Sequence, residues 1–313
     1  MEIDFTKKFT RLVLSGGGSR CLAVLGALHF LHENGHLDDI EEYWGTSSGS
    51  LVALLLLIGY TPFEAFHRLF MLEDLADPEK LDMQTLLENT ALCPIEHFGD
   101  RVRLLIREKL VGQDDVTFKD IYKKYGKKIH IIGANTRTKS GVCFDVDSEP
   151  DMKVIDAIEI SCDLPFFFTK KVYKGDVYVD GGFINNYPIN LADNDKDQVL
   201  GICVFGDFKF SNSKYIEWIY GLLFMPIMEL HRDRVSRLSS KCLNIELQSD
   251  IGLMEMAPTQ KQKIDTFSGG YQQTRDKYIQ LVKEWELRTD WFKSLTDQKA
   301  EPGDGWDVDF EPF

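Results

Sequence analysis

Two consecutive units of strand, glycine-rich turn and helix constrain the fold more than any other feature of the chain. In the first, the apolar run at 11–15 ends at three glycines, 16–18, and a helical apolar pattern continues to about Gly35. In the second, a short run at 40–44 reaches the turn GTSSGS, and the wholly apolar segment 51–58 follows as a helix. Because each helix carries the chain back along the sheet, the two strands are predicted to be parallel neighbours in an α/β fold.

The middle of the chain continues to alternate between strand and helix patterns. Thr61 and Glu64 are typical of a helix start, and Thr117 and Gly126 are typical of the two ends of another helix. Beyond about residue 206 the pattern predicts helix as far as about Lys293. The remaining predictions are strands at 128–135, 142–146, 177–180 and 200–205, and helices at 118–125 and 153–162.

Length and composition are those of a globular protein. The 313 residues are 43% hydrophobic and 27% charged, and no internal repeat suggests a modular array. We predict a catalytic core at 8–206, a mainly helical C-terminal extension packed on it at 207–297, and an acidic tail at 298–313.

The charge balance limits the partners. The formal net charge of −14 opposes binding to nucleic acid, which requires a basic surface that displaces counterions from phosphates. It also opposes docking on an anionic bilayer by electrostatics alone, so a contact with a membrane must use local basic or apolar side chains. The sequence leaves the oligomeric state open.

The chain shows no features of an exported or membrane-spanning protein. Its first residues contain no uninterrupted apolar signal segment, and the apolar run 51–58 is shorter than the roughly 20 residues that span a bilayer. The six cysteines form no CxxC pair and have no histidine at zinc-ligand spacing. We therefore expect free thiols, no metal, no transmembrane segment, and a location in the cytoplasm or peripheral to an intracellular membrane.

A candidate nucleophile lies in the second turn. Gly45, Ser47 and Gly49 form the pattern G-x-S-x-G between a strand and a helix, which is typical of a nucleophile elbow. The glycines allow a steep turn, and the positive end of the helix dipole favours an anion that forms beside the serine. Because glycine and serine are common in turns, the pattern alone is also compatible with a chance match.

The glycine loop of the first unit is a candidate oxyanion hole. In SGGGSR, the amide groups of Gly17 and Gly18 carry no obstructing side chain and can donate to an oxygen anion. A dinucleotide-binding loop is the alternative, but Cys21 occupies its third glycine position and no acidic ribose ligand follows the second strand. A P-loop is also disfavoured, because no Gly-Lys-Ser/Thr sequence follows.

A serine nucleophile needs a base, and an aspartate is a better candidate than any histidine. None of the seven histidines lies in a strand-end loop late in the chain, where a triad histidine is expected. Asp180 ends a predicted strand and precedes Gly181 and Gly182, which allow close approach of the backbone. An ordinary Asp-Gly-Gly turn is the alternative explanation.

Taken together, these motifs resemble those of the patatin-like phospholipase family. SGGGSR is followed by GTSSG and then by DGG with Asn186-x-Pro188, and the resemblance extends over about residues 12–188. One departure is Cys21, where the family commonly has glycine. The resemblance implies a three-layer α/β/α fold with a mainly parallel central sheet and helical additions.

The resemblance also implies an activity, namely hydrolysis of fatty-acyl esters through an acyl-serine intermediate, with no metal and no cofactor. The implied substrate is a lipid at a membrane interface. Arg20 is expected to position the glycine loop, to meet a phosphate headgroup or to form a surface ion pair. The implied site consists of the dyad Ser47 and Asp180, the oxyanion hole Gly16, Gly17 and Gly18, and the supporting residues Ser19, Arg20, Gly45, Gly49, Gly181 and Gly182.

Two other classes of function stay open at this point. One is a catalytically weak lipid- or protein-binding module of the same fold, and the other is a serine esterase or protease that does not act on lipids.

The segment 218–228 is a candidate border of an acyl-chain entrance. It is rich in apolar residues, and Arg232, Arg234 and Arg237 follow it. Together with a helix at about 63–72, it is expected to help the protein meet lipid surfaces, since an acidic protein needs a local patch for this. A buried core helix or a subunit contact is the alternative.

Overall fold

A mixed sheet of eight strands forms the centre of the residues that the computed structural model describes, namely 3–71, 91, 93–111, 113, 115–206, 215–252, 255 and 257–298. The strands are β1 (Phe9–Leu14), β2 (Glu42–Thr46), β3 (Lys128–Asn135), β4 (Ser140–Phe144), β5 (Lys171–Tyr173), β6 (Asp176–Asp180), β7 (Gln198–Phe205) and β8 (Cys242–Gln248). The helices are α1 (Cys21–Glu33), α2 (Ser48–Leu57), α3 (Pro62–Met71), α4 (Ile95–Lys109), α5 (Phe118–Tyr125), α6 (Val154–Cys162), α7 (Gly182–Asn185), α8 (Ile189–Ala192), α9 (Tyr215–Ser236) and α10 (Gln260–Gln298).

Five parallel strands make up most of the sheet. The strand order is β5-β6-β3-β2-β1-β7-β8, and β4 pairs in addition with β3. Five adjacent strands run parallel to one another, in the order β3, β2, β1, β7 and β8. The pairs of β4 with β3, of β6 with β3 and of β5 with β6 are antiparallel. The predicted parallel pairing of the first two strands is confirmed.

Helices cover both faces of the sheet. Along β7, Leu200 and Ile202 face a large core that includes most of α1 and α2. Val199 and Cys203 face a smaller core that contains Tyr187 and residues of α8. Because side chains alternate across a strand, the sheet lies between two helical layers, which confirms the predicted three-layer α/β/α fold.

Two strands of opposite direction meet end to end beside β3. Thr46, the last residue of β2, pairs with Ile132, and Asp180, the last residue of β6, pairs with Gly133. The five residues 131–135 of β3 pair with β4 on one side and with β2 or β6 on the other. The strands β2 and β6 therefore share one side of β3. The carboxyl ends of the two strands are therefore adjacent.

Local capping signals predicted two helix starts correctly. At α5, Thr117 and Asp120 form a capping box, and Gly126 ends the helix with φ 67°. At α3, the N–H of Glu64 donates to the Thr61 hydroxyl, and the Glu64 carboxylate accepts the N–H of Thr61. These contacts lie within a few residues of each other in the chain, which is why the sequence reveals them.

The prediction of helix from about residue 206 to about Lys293 is wrong for one segment. Residues Cys242–Gln248 form β8, which pairs in parallel with β7. The segment gains its strand structure from this long-range pairing, and no turn signal in the sequence announces it. The division at residue 206 stays a prediction, although Leu243 of β8 and Leu281 of α10 both belong to the large core.

Two further predictions concern membrane-spanning helices and the C-terminal tail. No helix in the described ranges has the length and apolar character needed to cross a membrane. Apart from Gln298, the predicted tail at 298–313 lies outside the described residues.

Glycines allow α1 and α10 to pack at close distance. A Cβ on Gly26 would lie 1.9 Å from a carbonyl oxygen of α10, and a Cβ on Gly270 would lie 1.9 Å from the carbonyl oxygen of Ala23. A side chain at either position must therefore push the helices apart. Gly269, in contrast, would meet only the end of the Gln273 side chain, at 3.8 Å.

Alanine substitutions at the two neighbouring glycines are expected to have opposite effects. Gly269→Ala should raise the free energy of unfolding by up to about 1 kcal/mol, because alanine favours a helix. Gly270→Ala should lower it by about 2 kcal/mol, because the Ala23 backbone leaves no room for the methyl group. Urea denaturation of both variants measures the difference, and equal stabilities would contradict the close packing of the helices.

Candidate active site

Ser47 lies in a sharp turn between β2 and α2. Its backbone has φ 52° and ψ −133°, a conformation that residues with a side chain seldom adopt. The Ser47 N–H donates to Ser161 Oγ at 2.8 Å, and the Ser47 carbonyl accepts the N–H and the hydroxyl of Ser50 at 2.9 and 2.6 Å. These bonds hold the serine at the start of α2 in the geometry of a nucleophile elbow.

Gly45 and Gly49 make this turn possible, because neighbouring backbone fills the space that a side chain would need. A Cβ on Gly45 would lie 2.5 Å from Ser50 Cα, and a Cβ on Gly49 would lie 2.5 Å from the carbonyl oxygen of Ser15. The serine turn therefore packs directly against the start of the first glycine loop.

Asp180, the last residue of β6, lies next to Ser47. It is buried, with 5% of its surface exposed, and its Oδ1 accepts the N–H of Gly182 at 2.6 Å. Burial raises the pKa of Asp180 to about 6, although the neighbouring Ser47 hydroxyl and the hydrogen bond from the Gly182 N–H act in the opposite direction. A Cβ on Gly181 would lie 2.2 Å from the carbonyl oxygen of Ile132. The structure thus brings together two residues that were predicted from separate motifs.

The C-terminal end of α6 holds the backbone of both residues. Ser161 Oγ accepts the Ser47 N–H and donates to the carbonyl of Ile132 at 2.6 Å. Two residues later, the carbonyl of Asp163 accepts the Asp180 N–H at 2.8 Å. Sequence reasoning missed these two anchors, and the only local signal was the small and polar run ISCD at the helix end.

Asp163 is also a second buried carboxyl group near Asp180. Only 1% of its surface is exposed, and its Oδ2 accepts the N–H of Lys171 at 2.8 Å. Burial raises the pKa of Asp163 to about 7, and the negative charge of Asp180 contributes in the same direction. The two carboxyl groups therefore influence each other's titration.

The amide groups of the glycine loop are not equivalent. The N–H of Gly16 donates to the carbonyl of Asn186 at 3.0 Å, and Asn186 Nδ2 donates to the carbonyl of Gly16 at 3.1 Å. The N–H of Gly17 donates to the Ser48 hydroxyl at 3.1 Å. A Cβ on Gly16 would lie 2.9 Å from Ser47 Cβ, so Gly16 allows the loop to approach the serine while its own amide is already bonded.

Arg20 follows the glycine loop and is buried. Gly18, with φ 55°, begins a single 3-10 turn that includes Ser19 and Arg20. Arg20 is 4% exposed, its Nε donates to the carbonyl of Ile251 at 2.8 Å, and its guanidinium lies against Gly206. The expectation of a surface ion pair is wrong, because tertiary packing places this side chain inside the molecule.

A cavity of about 790 Å³ extends from Ser47 and Asp180. Its volume lies in the range of small-molecule sites, roughly 300–1,000 Å³. The glycine loop and Ser48 line it as well. Its apolar walls come from several elements and include Leu51, Leu69, Phe98, Leu164, Phe167, Phe168, Val204, Phe224 and Met228. This combination of polar groups around Ser47 and apolar walls suits an ester with a fatty chain.

The histidines stay apart from the two candidate residues. All seven lie in the described ranges, and none forms a hydrogen bond with Ser47 or Asp180. His231 lines the cavity, but its ring packs against Tyr187 and Phe205 with centroid distances of 5.6 and 4.9 Å. The titratable side chain beside Ser47 is therefore that of Asp180 and not that of a histidine.

Two groups of side chains have the donor types and spacing to hold a metal ion, within the part of the chain that the structure describes. One consists of His130, Cys143 and Asp145, and the other of Cys203, His231 and Glu246. In the first, His130 Nδ1 lies 3.0 Å from Asp145 Oδ2, and the Cys143 thiol donates to that same oxygen. The sequence did not suggest either group, because strand pairing and helix packing bring its members together. Neither contains Ser47 or Asp180.

Replacing Asp163 by asparagine should change how stability depends on pH. The folded state holds the Asp163 proton more tightly than the unfolded chain, so the wild type loses stability as pH rises from near 3.8 to about 7. Asparagine has no such proton and can still accept the Lys171 N–H. Asp163→Asn should therefore be more stable than the wild type at about pH 8, by about 2 kcal/mol, with no gain at about pH 4. Urea denaturation at both values tests this, and a less stable variant at the higher pH would contradict it.

Several proteins are similar to this chain. Probable lipid hydrolase 463L of Invertebrate iridescent virus 6 is 33% identical over 189 residues, which are 59% of this chain and 64% of that protein. Uncharacterized protein R571 of Acanthamoeba polyphaga mimivirus is 28% identical over 301 residues, covering 90% of this chain and 99% of that protein. The solved structure of VipD from Legionella pneumophila matches with a TM-score of 0.57 at 16% identity, covering 86% of this chain and 66% of VipD.

These likenesses differ in what they show. The chain spans slightly less than two thirds of the iridescent virus protein and of VipD, and the likeness to VipD concerns the fold alone. The sequence profile described as patatin-like phospholipase matches residues 12–193, more than half of the chain. This range contains the glycine loop, the serine turn and the Asp-Gly-Gly sequence. The chain belongs to the patatin-like phospholipase family.

Proposed function

We propose that the chain is a lipid acyl hydrolase that cleaves fatty-acyl esters through a dyad of Ser47 and Asp180. One observation carries this proposal: a serine in a strained turn lies beside a buried carboxylate, and both residues line a cavity with apolar walls. Membership of a family of lipid hydrolases supports a lipid as the substrate.

In the first step, Asp180 accepts the proton of Ser47 while Ser47 Oγ attacks the acyl carbonyl. The carbonyl oxygen becomes an oxyanion, and the tetrahedral intermediate collapses when the alcohol leaves with the proton from Asp180. A water molecule then attacks the acyl-serine in the same way, with Asp180 again as the base. Serine is restored and the fatty acid leaves.

The oxyanion is proposed to be held by Gly17, Gly18 and the positive end of α2. In the free protein the Gly17 N–H donates to the Ser48 hydroxyl, and we infer that the oxyanion replaces this acceptor during the reaction. The amide of Gly16 is already bonded to Asn186. Gly16 therefore contributes only by leaving room for the loop to approach Ser47, since it has no side chain. Each donor of this kind typically contributes about 3 kcal/mol to stabilising the transition state.

Burial makes Asp180 a better base than an exposed aspartate. A carboxylate of ordinary pKa holds a proton weakly at neutral pH, whereas a pKa of about 6 lies closer to the working range and still leaves the group mostly ionised. The buried Arg20 is proposed to fix the end of the glycine loop through Ile251 rather than to meet a headgroup.

Product analysis distinguishes this function from the two other classes. A panel of phospholipids, neutral lipids and a peptide substrate, each with wild type and Ser47→Ala, should yield free fatty acid only from the wild type and only from lipids. Peptide cleavage would indicate a protease, and lipid binding without any product would indicate a binding module.

Removal of either dyad residue should abolish hydrolysis. Ser47→Ala and Asp180→Asn are each expected to lower kcat/KM for a short-chain ester by about 10⁴-fold or more, because the residues act as a unit. The double variant should be little worse than either single variant. A fluorophosphonate probe should label Ser47 in the wild type, with the modified residue located by peptide mapping.

Asp176→Asn is a matched control for the loss of a carboxylate. Asp176 lies at the opposite end of β6 and pairs with Arg137, so its replacement should leave kcat/KM within about twofold. Near-normal turnover by Asp180→Asn, or a label on Ser48 or Ser50, would refute the proposed dyad.

The activity should rise with pH along a limb set by Asp180. Because the base must be ionised, kcat/KM for an uncharged ester should fall as pH drops below about 6, approaching tenfold per unit. A pH series with a soluble short-chain ester measures this limb. Activity that stays constant between about pH 5 and pH 8 would exclude a base with this pKa.

A further inference from the structure

One helix exposes apolar side chains beside the cavity. On α9, Trp218, Leu222 and Met225 are exposed by 56, 46 and 65%. Their spacing of four and three residues places them in one row along the helix. We call this row the apolar strip. The expectation that the segment is a buried core helix is therefore wrong for this row, although Phe224 and Ile227 on the opposite side are buried.

The apolar strip continues into the wall of the cavity. Steps of four and three residues beyond Met225 lead to Glu229, Arg232 and Ser236. Arg232 and Ser236 both line the cavity. Phe224 and Met228, which neighbour Met225 on the helix, line the cavity as well, so the strip and the cavity wall lie on adjacent sides of α9.

Two other walls of the cavity also carry exposed apolar residues. Phe166 is 48% exposed and has φ 65°, and it lies next to Phe167, which lines the cavity. Aromatic residues rarely adopt this backbone conformation, so the loop holds Phe166 outward at an energetic cost. At the end of α3, Met71 is 61% exposed, two residues after the cavity residue Leu69. Three separate elements therefore carry exposed apolar groups within a few residues of positions that line the cavity.

The basic residues that follow the apolar strip are already engaged. Arg232 pairs with Glu229 at 3.3 Å, and Arg237 pairs with Asp233 at 2.6 Å. Arg234 donates to the carbonyl of Ile184 at 2.9 Å. With these pairs and a net charge of −14, an anionic headgroup finds little attraction here.

We propose that the apolar strip, with Phe166 and Met71, inserts into the surface of a neutral or zwitterionic lipid layer and so places the cavity over its substrate. This inference rests on the proposed function, because a fatty-acyl ester reaches the cavity from such a surface. A second copy of the chain is the less suitable occupant, since two molecules with this net charge repel each other. Insertion of apolar side chains needs no net positive charge.

A pair of matched double variants tests the docking surface. Leu222→Ser with Met225→Ser removes two side chains of the apolar strip, exposed by 46 and 65%. Ile279→Ser with Leu287→Ser removes two side chains of α10 that are exposed to a similar degree, 43 and 72%. Leu287 lies 24 residues beyond the cavity residue Lys263, or about 36 Å along the helix.

Binding is measured by sedimentation with phosphatidylcholine vesicles, with Ser47→Ala added to every protein so that the lipid stays intact. The strip variant should bind about tenfold more weakly than the parent, and the α10 variant should bind like the parent. With Ser47 present, both variants should hydrolyse a soluble short-chain ester at the wild-type rate. The proposal would be overturned if both variants bound vesicles as tightly as the parent. It would also be overturned if both bound more weakly than the parent by the same factor.

A measurement on the unaltered surface keeps the test independent of how the variants fold. Brominated phosphatidylcholine quenches a tryptophan that enters the lipid layer, so the parent should lose more emission than Trp218→Phe. Quenching that is identical in the two proteins would show that Trp218 stays outside the lipid. A strip variant that changes only the oligomeric state would identify a second copy as the occupant.

The two proposals fail in different ways. Vesicle binding without hydrolysis of any ester, by protein that retains Ser47, would refute the proposed function and leave the docking surface intact. Hydrolysis of the soluble ester without vesicle binding would refute the docking surface and leave the proposed function intact.

Discussion

Along one side of β3, β2 and β6 run towards each other, and the pairs Thr46–Ile132 and Gly133–Asp180 leave no gap between them. This register decides where the candidate nucleophile and base lie, because a shift of one residue turns a strand's side chains to the opposite face. Gly181 is required at the junction, since a Cβ there would strike the Ile132 carbonyl. The candidate pair of Ser47 and Asp180 thus takes its geometry from the sheet, which is more rigid than a loop.

The same junction places carboxyl groups where water is scarce. The end of α6 binds the backbone of both candidate residues, through Ser161 to Ser47 and through Asp163 to Asp180. Burial that raises the pKa of Asp180 to about 6 favours its use as a base, but the ionised form then costs stability. Asp163 adds to this cost, with a pKa of about 7. The buried ionised carboxyl groups thus lower the free energy of unfolding, and the large core offsets this loss.

The sequence predicted those features whose causes are local. Thr117 caps α5 through a residue three positions away, and the turn around Ser47 needs glycines at its own flanks. In contrast, the bonded amide of Gly16 depends on Asn186, and the buried setting of Arg20 depends on Ile251. Such contacts join distant parts of the chain, and no spacing reveals them. For the same reason the sequence predicts helix where β8 lies, because only the pairing with β7 makes this segment a strand.

Exposed apolar groups favour self-association, and the charge of this molecule opposes it. A net charge of −14 repels other copies at ordinary ionic strength. The pairs of Arg232 with Glu229 and of Arg237 with Asp233 leave little positive charge there for an acidic copy to bind. A zwitterionic lipid surface has no net charge, so the repulsion that separates copies does not act against it. Affinity for that surface is then governed by buried apolar area and, unlike electrostatic docking, does not weaken as salt increases.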